Sequence, residues 1–147
     1  MIYIGADHRG FKAKEALLEY LQSRGYAVAD VGTRTEEPVD YPIIAEKVGH
    51  KVTEDPNNRG VLLCASGAGV CIAVNKIDGI RAAEAWNENI ARSVRTDDNI
   101  NVLCLSAEET NTEDMKKITQ IFLDTSFVSK ERYKRRLKEI QDMEKEN

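Results

Sequence analysis

Histidine, tryptophan, proline and cysteine are all scarce in these 147 residues, and each shortage removes a class of chemistry. The two histidines, His8 and His50, have no metal-ligand spacing between them. Cys64, Cys71 and Cys104 form no C-x-x-C pair, and three thiols cannot all pair within one chain, which argues against a disulfide framework or a zinc site. No apolar run approaches the roughly 20 residues that a membrane span needs. The N-terminus "MIYIGADHRG" enters a strand at once, without a basic region and an apolar signal segment, so the expected location is cytoplasmic. Positive charge is in the minority. Lys and Arg number 21 against 25 Asp and Glu, for a net charge of -4, and neither a nucleic-acid nor a membrane partner is expected.

What is present is a regular alternation of patterns. Short segments at 2–6, 27–31, 60–64, 80–85 and 101–106 read as strands, the first and third of them apolar runs. Between them lie helical patterns: Ala13, Leu17 and Leu21 share one face, with Gly25 as the C-cap, and Ile44, Val48 and Val52 recur after Asp40 and Pro42. Further helices are expected after Gly69, from Asn87 to about Arg95, and over Thr112–Asp124, with a highly charged one over about Lys130–Lys145. Strands alternating with helices predict a single α/β domain over residues 1–147. Its architecture is a three-layer, doubly wound (Rossmann-like), five-stranded parallel sheet with a charged C-terminal helix. Ligands of such sheets sit beyond the carboxyl ends of the strands. Here those ends are "GADHRG", "GTRTEEPVDYP" and "CASGAG".

The third of these ends asks what two glycines and a cysteine are for. The dinucleotide fingerprint belongs after the first strand, whereas Gly67 and Gly69 follow the third, Ile72 takes the place of the last glycine, and no G-K-[ST] is present. Cys64 is open to two readings: inert core packing, or a thiol at a strand end where backbone N–H groups favour the thiolate. Cys71 and Cys104 lie inside elements and read as packing. Asp7 and His8 form either a turn with its cap or part of a site, since they share the sheet edge with Cys64. Arg132 and Arg136, four apart on the last helix, read as a solvated face or as a phosphate grip.

Taken together, these residues resemble the ribose-5-phosphate isomerase B family, which includes the galactose-6-phosphate isomerase subunits. The likeness covers about residues 2–140. "GADHRGF" is similar to the family's G-x-D-H-x-G-F, and "DYP" at 40–42 to its second loop. "CASGAGVCIAVNKIDGIRAA" is similar to C-G-T-G-x-G-x-x-x-A-x-N-K-x-x-G-I-R-A, a long and specific match. The resemblance implies metal-free, cofactor-free aldose–ketose isomerisation of a small sugar phosphate, in homodimers or dimers of dimers whose sites are shared between subunits. Carried over by position, Cys64 is the base that moves the proton between C1 and C2. Ser66 and the amides of Ala65, Ser66, Gly67, Ala68 and Gly69 stabilise the enediolate. Asp7, His8 and Tyr41 hold the sugar or its phosphate, and Arg132 and Arg136 hold the phosphate.

Two positions depart from the family. Its pattern before the fifth strand is R-x-H-N-[DA]-x-N, the histidine serving in ring opening, whereas this chain reads "RTDDNIN". Asp97 thus replaces the histidine as the expected ring-opening residue, and Asp98 replaces the asparagine at the substrate. After the fifth strand, Glu108 stands where the family has an arginine near the phosphate. These departures keep a second reading open: a non-catalytic sugar-phosphate-binding protein, or one subunit of a hetero-oligomeric isomerase.

Overall fold

The central strand explains the rest of the architecture. Residues 61–64 are apolar without interruption, and a strand of that kind is stable only where both of its faces are covered. In the computed structural model, which describes residues 1–147, this segment is the middle of a five-stranded parallel sheet. The elements in chain order are β1 (Ile2–Ala6), α1 (Phe11–Ser23), β2 (Val28–Asp30), α2 (Tyr41–Thr53), β3 (Arg59–Cys64) and α3 (Ala68–Val74). They continue with β4 (Ala82–Glu84), α4 (Glu88–Thr96), β5 (Val102–Ser106), α5 (Thr112–Asp124) and α6 (Glu131–Glu146). The strand order is β2-β1-β3-β5-β4.

That order dictates which face each helix covers. Crossovers between parallel strands are right-handed, so a connection that steps back along the sheet must use the opposite face from one that steps forward. The forward steps, β2 to β3 and β3 to β4, carry α2 and α3. The backward steps, β1 to β2 and β4 to β5, carry α1 and α4. The core divides accordingly. Leu62, Cys64, Val102 and Cys104 pack with α2 and α3, while Val61, Leu63, Leu103 and Leu105 pack with α1, α4 and α5. Adjacent residues of β3 therefore serve opposite layers, the period-two rule of a strand. Leu62 and Leu63 are fully buried, each worth about 1.5–3 kcal/mol relative to exposure.

The expected five strands and six helices are all present. The fourth strand starts later than the segment expected at 80–85 because the Arg81 amide donates to Asn101 Oδ1 at 2.9 Å, so regular pairing starts only at Ala82 opposite Val102. The chain reverses direction across the sheet between β1 and β3, which brings the loops after these two strands side by side at their carboxyl ends. No helix is long and apolar enough to cross a membrane.

One charge lies wholly inside. Lys14 on α1 is fully buried, with its Nζ 2.5 Å from Asp30 Oδ2 and 2.9 Å from Glu15 Oε1. Removing one member of a buried pair strands the other. Lys14→Ala is expected to cost about 3 kcal/mol in urea unfolding. A loss below about 1 kcal/mol, the range of exposed pairs, would mean that solvent already satisfies Asp30.

Candidate active site

Two loops converge at the carboxyl edge of the sheet. After β3 the chain turns through Ala65–Gly67 into α3. Cys64, at the strand's last position, is 4% exposed, and its sulfur accepts the Gly67 N–H at 3.1 Å. The turn is shaped by glycine for two separate reasons. Gly67 has φ +81, a conformation that L side chains rarely adopt, and a Cβ there would lie 2.8 Å from a Glu84 carboxyl oxygen. At Gly69 a Cβ would lie 2.9–3.1 Å from ring atoms of Tyr41. The Tyr41 ring, from the first residue of α2, thus covers the start of α3. Ser66 Oγ accepts the Ala68 N–H at 3.2 Å, which leaves its own proton free to donate. The amides of Ala65, Ser66 and Gly69 donate to no acceptor in the chain.

The loop after β1 supplies the other wall. Asp7 is 6% exposed, and its Oδ1 accepts the Arg9 and Gly10 amides, each at 3.0 Å. One carboxyl oxygen therefore closes the turn, while Oδ2 makes no hydrogen bond in the chain. His8 Nδ1 accepts the Val39 N–H at 3.2 Å, an acceptor role that assigns the ring proton to Nε2. This bond ties the β1 loop to the loop before α2. Asp7, His8, Tyr41, Cys64 and the 65–69 turn thus share one edge, as expected.

The remaining four site residues lie at the opposite pole. Asp97 caps the C-terminus of α4, and Asp98 follows it below the amino end of β5. Cys64 pairs with Ser106 at the far end of β5, so the two groups are separated by the length of that strand, about 16 Å. Arg81 and Arg95 hold the turn between them. Arg81 donates to the Asp98 and Asn99 carbonyls, and the buried Arg95 to Asn99 Oδ1 at 2.9 Å and the Ile100 carbonyl at 2.6 Å. Burial and the neighbouring Arg59 and Arg81 pull the Arg95 guanidinium down to about 10. Burial, reinforced by Asp97, pushes the Asp98 carboxyl up, while Arg136 on α6 acts against it. One helical turn earlier, the Arg132 guanidinium stacks on Tyr133 at 4.8 Å. No side chain of this group reaches Cys64 within one chain.

Three features were not read from the sequence. Glu84 ends β4 beside Gly67, and burial pushes its carboxyl up. Arg9 pairs with Glu108 across the edge. Cys71, read as packing, is only half-buried; the neighbouring, fully buried Cys104 thiol lowers it, against the effect of burial. All three depend on residues distant in sequence; the strand-end position of Glu84 and the departure at Glu108 were the signals available beforehand.

The family model described as Ribose/Galactose Isomerase matches residues 2–140. A probable ribose-5-phosphate isomerase B of Mycoplasma genitalium is 37% identical over 147 residues, covering 99% of this chain and 96% of that protein. A D-erythrulose-4-phosphate isomerase of Pectobacterium atrosepticum is 36% identical over 128 residues, covering 86% of this chain and 84% of the relative. Among solved structures, the crystal structure of ribose-5-phosphate isomerase B from Mycoplasma genitalium with bound ribulose-5-phosphate superposes with a TM-score of 0.94 at 36% identity. That alignment covers 99% of this chain and 97% of the other. With its motifs, fold and full-length similarity all in agreement, this chain belongs to the ribose/galactose isomerase family.

Proposed function

We propose that this protein is an aldose–ketose isomerase of a small sugar phosphate, and that Cys64 is the base that moves the proton between C1 and C2. The carrying observation is the set of uncommitted donors around a strand-end sulfur: the Ala65, Ser66 and Gly69 amides and the Ser66 hydroxyl. A proton next to a carbonyl is weakly acidic. Its removal needs a positioned base together with donors aimed at the oxygen on which charge develops. In the aldose direction the Cys64 thiolate takes the C2 proton, and the carbonyl at C1 becomes the enediolate, held by these donors. The C2 hydroxyl proton passes to the oxygen on C1, which shifts the enediolate charge to the C2 oxygen, and Cys64 returns its proton to C1, leaving the ketose. Asp7 Oδ2 and the Nε2–H of His8 are free to bind sugar hydroxyls, and the Tyr41 ring borders the same edge.

The site is shared between two copies of the chain. Asp97, Asp98, Arg132 and Arg136 lie too far from Cys64 to serve it, so a neighbouring protomer supplies them. Ile43 on α2 and Ile72 on α3 are 49% and 66% exposed, and these helices flank the Cys64 edge, apolar surface of the kind that a second copy covers. The substrate class follows from Asp97. An imidazole donates from one ring nitrogen and accepts at the other, the two transfers that ring opening needs, whereas an ionised carboxylate offers acceptors only. A four-carbon sugar 4-phosphate cannot close to a furanose, because the required hydroxyl is esterified. The name of the Pectobacterium relative, a D-erythrulose-4-phosphate isomerase, is consistent with such substrates. The preferred substrates are therefore open-chain phosphates, tetrulose phosphates and ribulose 5-phosphate among them.

The reading is tested by incubating the protein with four-, five- and six-carbon aldose and ketose phosphates in D₂O. Isomerisation, or deuterium at the carbon next to the carbonyl, is expected for at least one. Cys64→Ala should lower turnover by about 10²–10⁴-fold with the fold retained; more than half of the wild-type activity in that variant would remove the thiol mechanism. Mixing Cys64→Ala with Asp98→Ala should restore part of the activity through mixed dimers, and a fully active monomer in light scattering would contradict the shared site. Asp97→His should raise kcat/KM on ribose 5-phosphate relative to that on a tetrulose 4-phosphate. A wild type that already prefers ribose 5-phosphate to the tetrulose phosphate, with nothing gained by Asp97→His, would sink the open-chain assignment.

A further inference from the structure

Arg9 and Glu108 stand outside the proton-transfer machinery, yet they lie close to it in the fold. Arg9 is in the loop after β1 and Glu108 in the turn after β5, and their side chains form an ion pair between Nη2 and Oε1. Because β1 and β5 both flank β3, this pair bridges the carboxyl end of β3 from one neighbour to the other. Both backbones are anchored beside Cys64. The Glu108 amide donates to the Ala65 carbonyl at 3.1 Å, and the preceding Ala107 amide to the Cys64 carbonyl at 2.9 Å. The Asp7 amide donates to the Leu63 carbonyl at 3.3 Å, and the Arg9 amide to Asp7 Oδ1 at 3.0 Å.

The two side chains are 55% and 49% exposed, and a pair of that exposure adds little to stability. Its chemistry is more informative. The bond to Glu108 uses one of the five N–H donors of the guanidinium, and no other acceptor in the chain takes one. Arg9 is also the sole cation on the two loops that flank β3, residues 7–10 and 107–111. Its nearest rivals are committed: Lys12 to Glu36 at 3.4 Å, and the buried Lys14 to Asp30.

We propose that Arg9 is a phosphate-binding residue of this site and that Glu108 is its positioning residue, holding one edge of the guanidinium so that the remaining donors face the substrate's phosphate. The proposal rests on the sugar-phosphate reading and deepens it. A planar guanidinium with two adjacent N–H groups free matches two oxygens of a phosphate. An arginine tethered at one edge loses less side-chain freedom when it binds. The Glu108 carboxylate also repels the dianion, so its net contribution to binding is smaller than that of Arg9.

The test is a double-mutant cycle on the full-length protein, with Arg9→Ala, Arg9→Lys, Glu108→Ala and the Arg9→Ala/Glu108→Ala double variant. Two quantities are read: the dissociation constant of inorganic phosphate by calorimetry, and the KM and kcat of a sugar phosphate that wild type turns over. Arg9→Ala is expected to weaken phosphate binding and raise KM about tenfold or more, the scale of lost charge-assisted hydrogen bonds, with a smaller effect on kcat. Arg9→Lys should keep part of the affinity. Glu108→Ala should weaken binding less, and should cause no further loss in the Arg9→Ala background. Wild-type affinity for phosphate in Arg9→Ala overturns the proposal, as does a wild type that binds no phosphate. A full additional loss from Glu108→Ala in the absence of Arg9 overturns the positioning role. A merely structural bridge would lower the melting temperature of both single variants and leave phosphate binding unchanged. Arg9-dependent phosphate binding by a protein that isomerises no sugar phosphate would sink the isomerase reading and leave this one standing; the reverse outcome would do the opposite.

Discussion

The hydrogen bonds between the turn after β5 and the end of β3 are the constraint on which the functional edge depends. Ser106 Oγ donates to the Ala65 carbonyl at 2.7 Å, Glu108 N donates to the same oxygen, and Ala107 N donates to the Cys64 carbonyl. A parallel strand that ends at the rim of a sheet would otherwise fray into its loop. Here the Leu63, Cys64 and Ala65 carbonyls are all engaged by neighbouring segments, and the thiol inherits the rigidity of the sheet. The carbonyls are spent on holding the loop in place, while several of its amides remain uncommitted. That asymmetry turns a structural turn into a place where negative charge can be received.

The two poles of the domain are built by different physics. At the carboxyl edge, backbone donors, glycine geometry and a histidine tied to Val39 form the wall around Cys64, with the Asp7 carboxylate among them. At the amino edge, three arginines crowd together, and two of them are spent on carbonyls that fix the Asp97–Asp98 turn. Burying guanidinium groups so close to one another is costly unless their donors are satisfied. The turn they organise is correspondingly well defined: Asn99 adopts φ +46 within it and accepts bonds from both Arg81 and Arg95. The Asp97 and Asp98 carboxylates are thereby held at the end of the sheet opposite the Cys64 thiol.

Much of the architecture was legible in the residue pattern. The wholly apolar 61–64 run demanded two covered faces, and Asn87 and Asp40 marked helix starts at the positions where helices begin. The glycines of the 65–69 turn were legible as a site signal because local conformation requires them. Exact strand ends were not, since they depend on side chains such as Asn101 that intercept an amide from another element. Nor could the pattern rank the strands across the sheet, because long-range pairing is decided by which faces need covering rather than by local propensity.

By itself, the sequence determined the α/β class, the succession of elements and a cysteine followed by a glycine turn at a strand end. These are local properties, set by hydrophobic period and backbone conformation. Tertiary structure decided what that cysteine stands beside. Insertion of β5 between β3 and β4 brings Glu108 next to Ala65 and across from Arg9, 99 positions away in the chain. The same topology sends Asp97 and Asp98 to the other end of β5. A charge in a sequence carries no partner with it; partners are assigned only when crossovers of fixed hand bring distant loops to one edge.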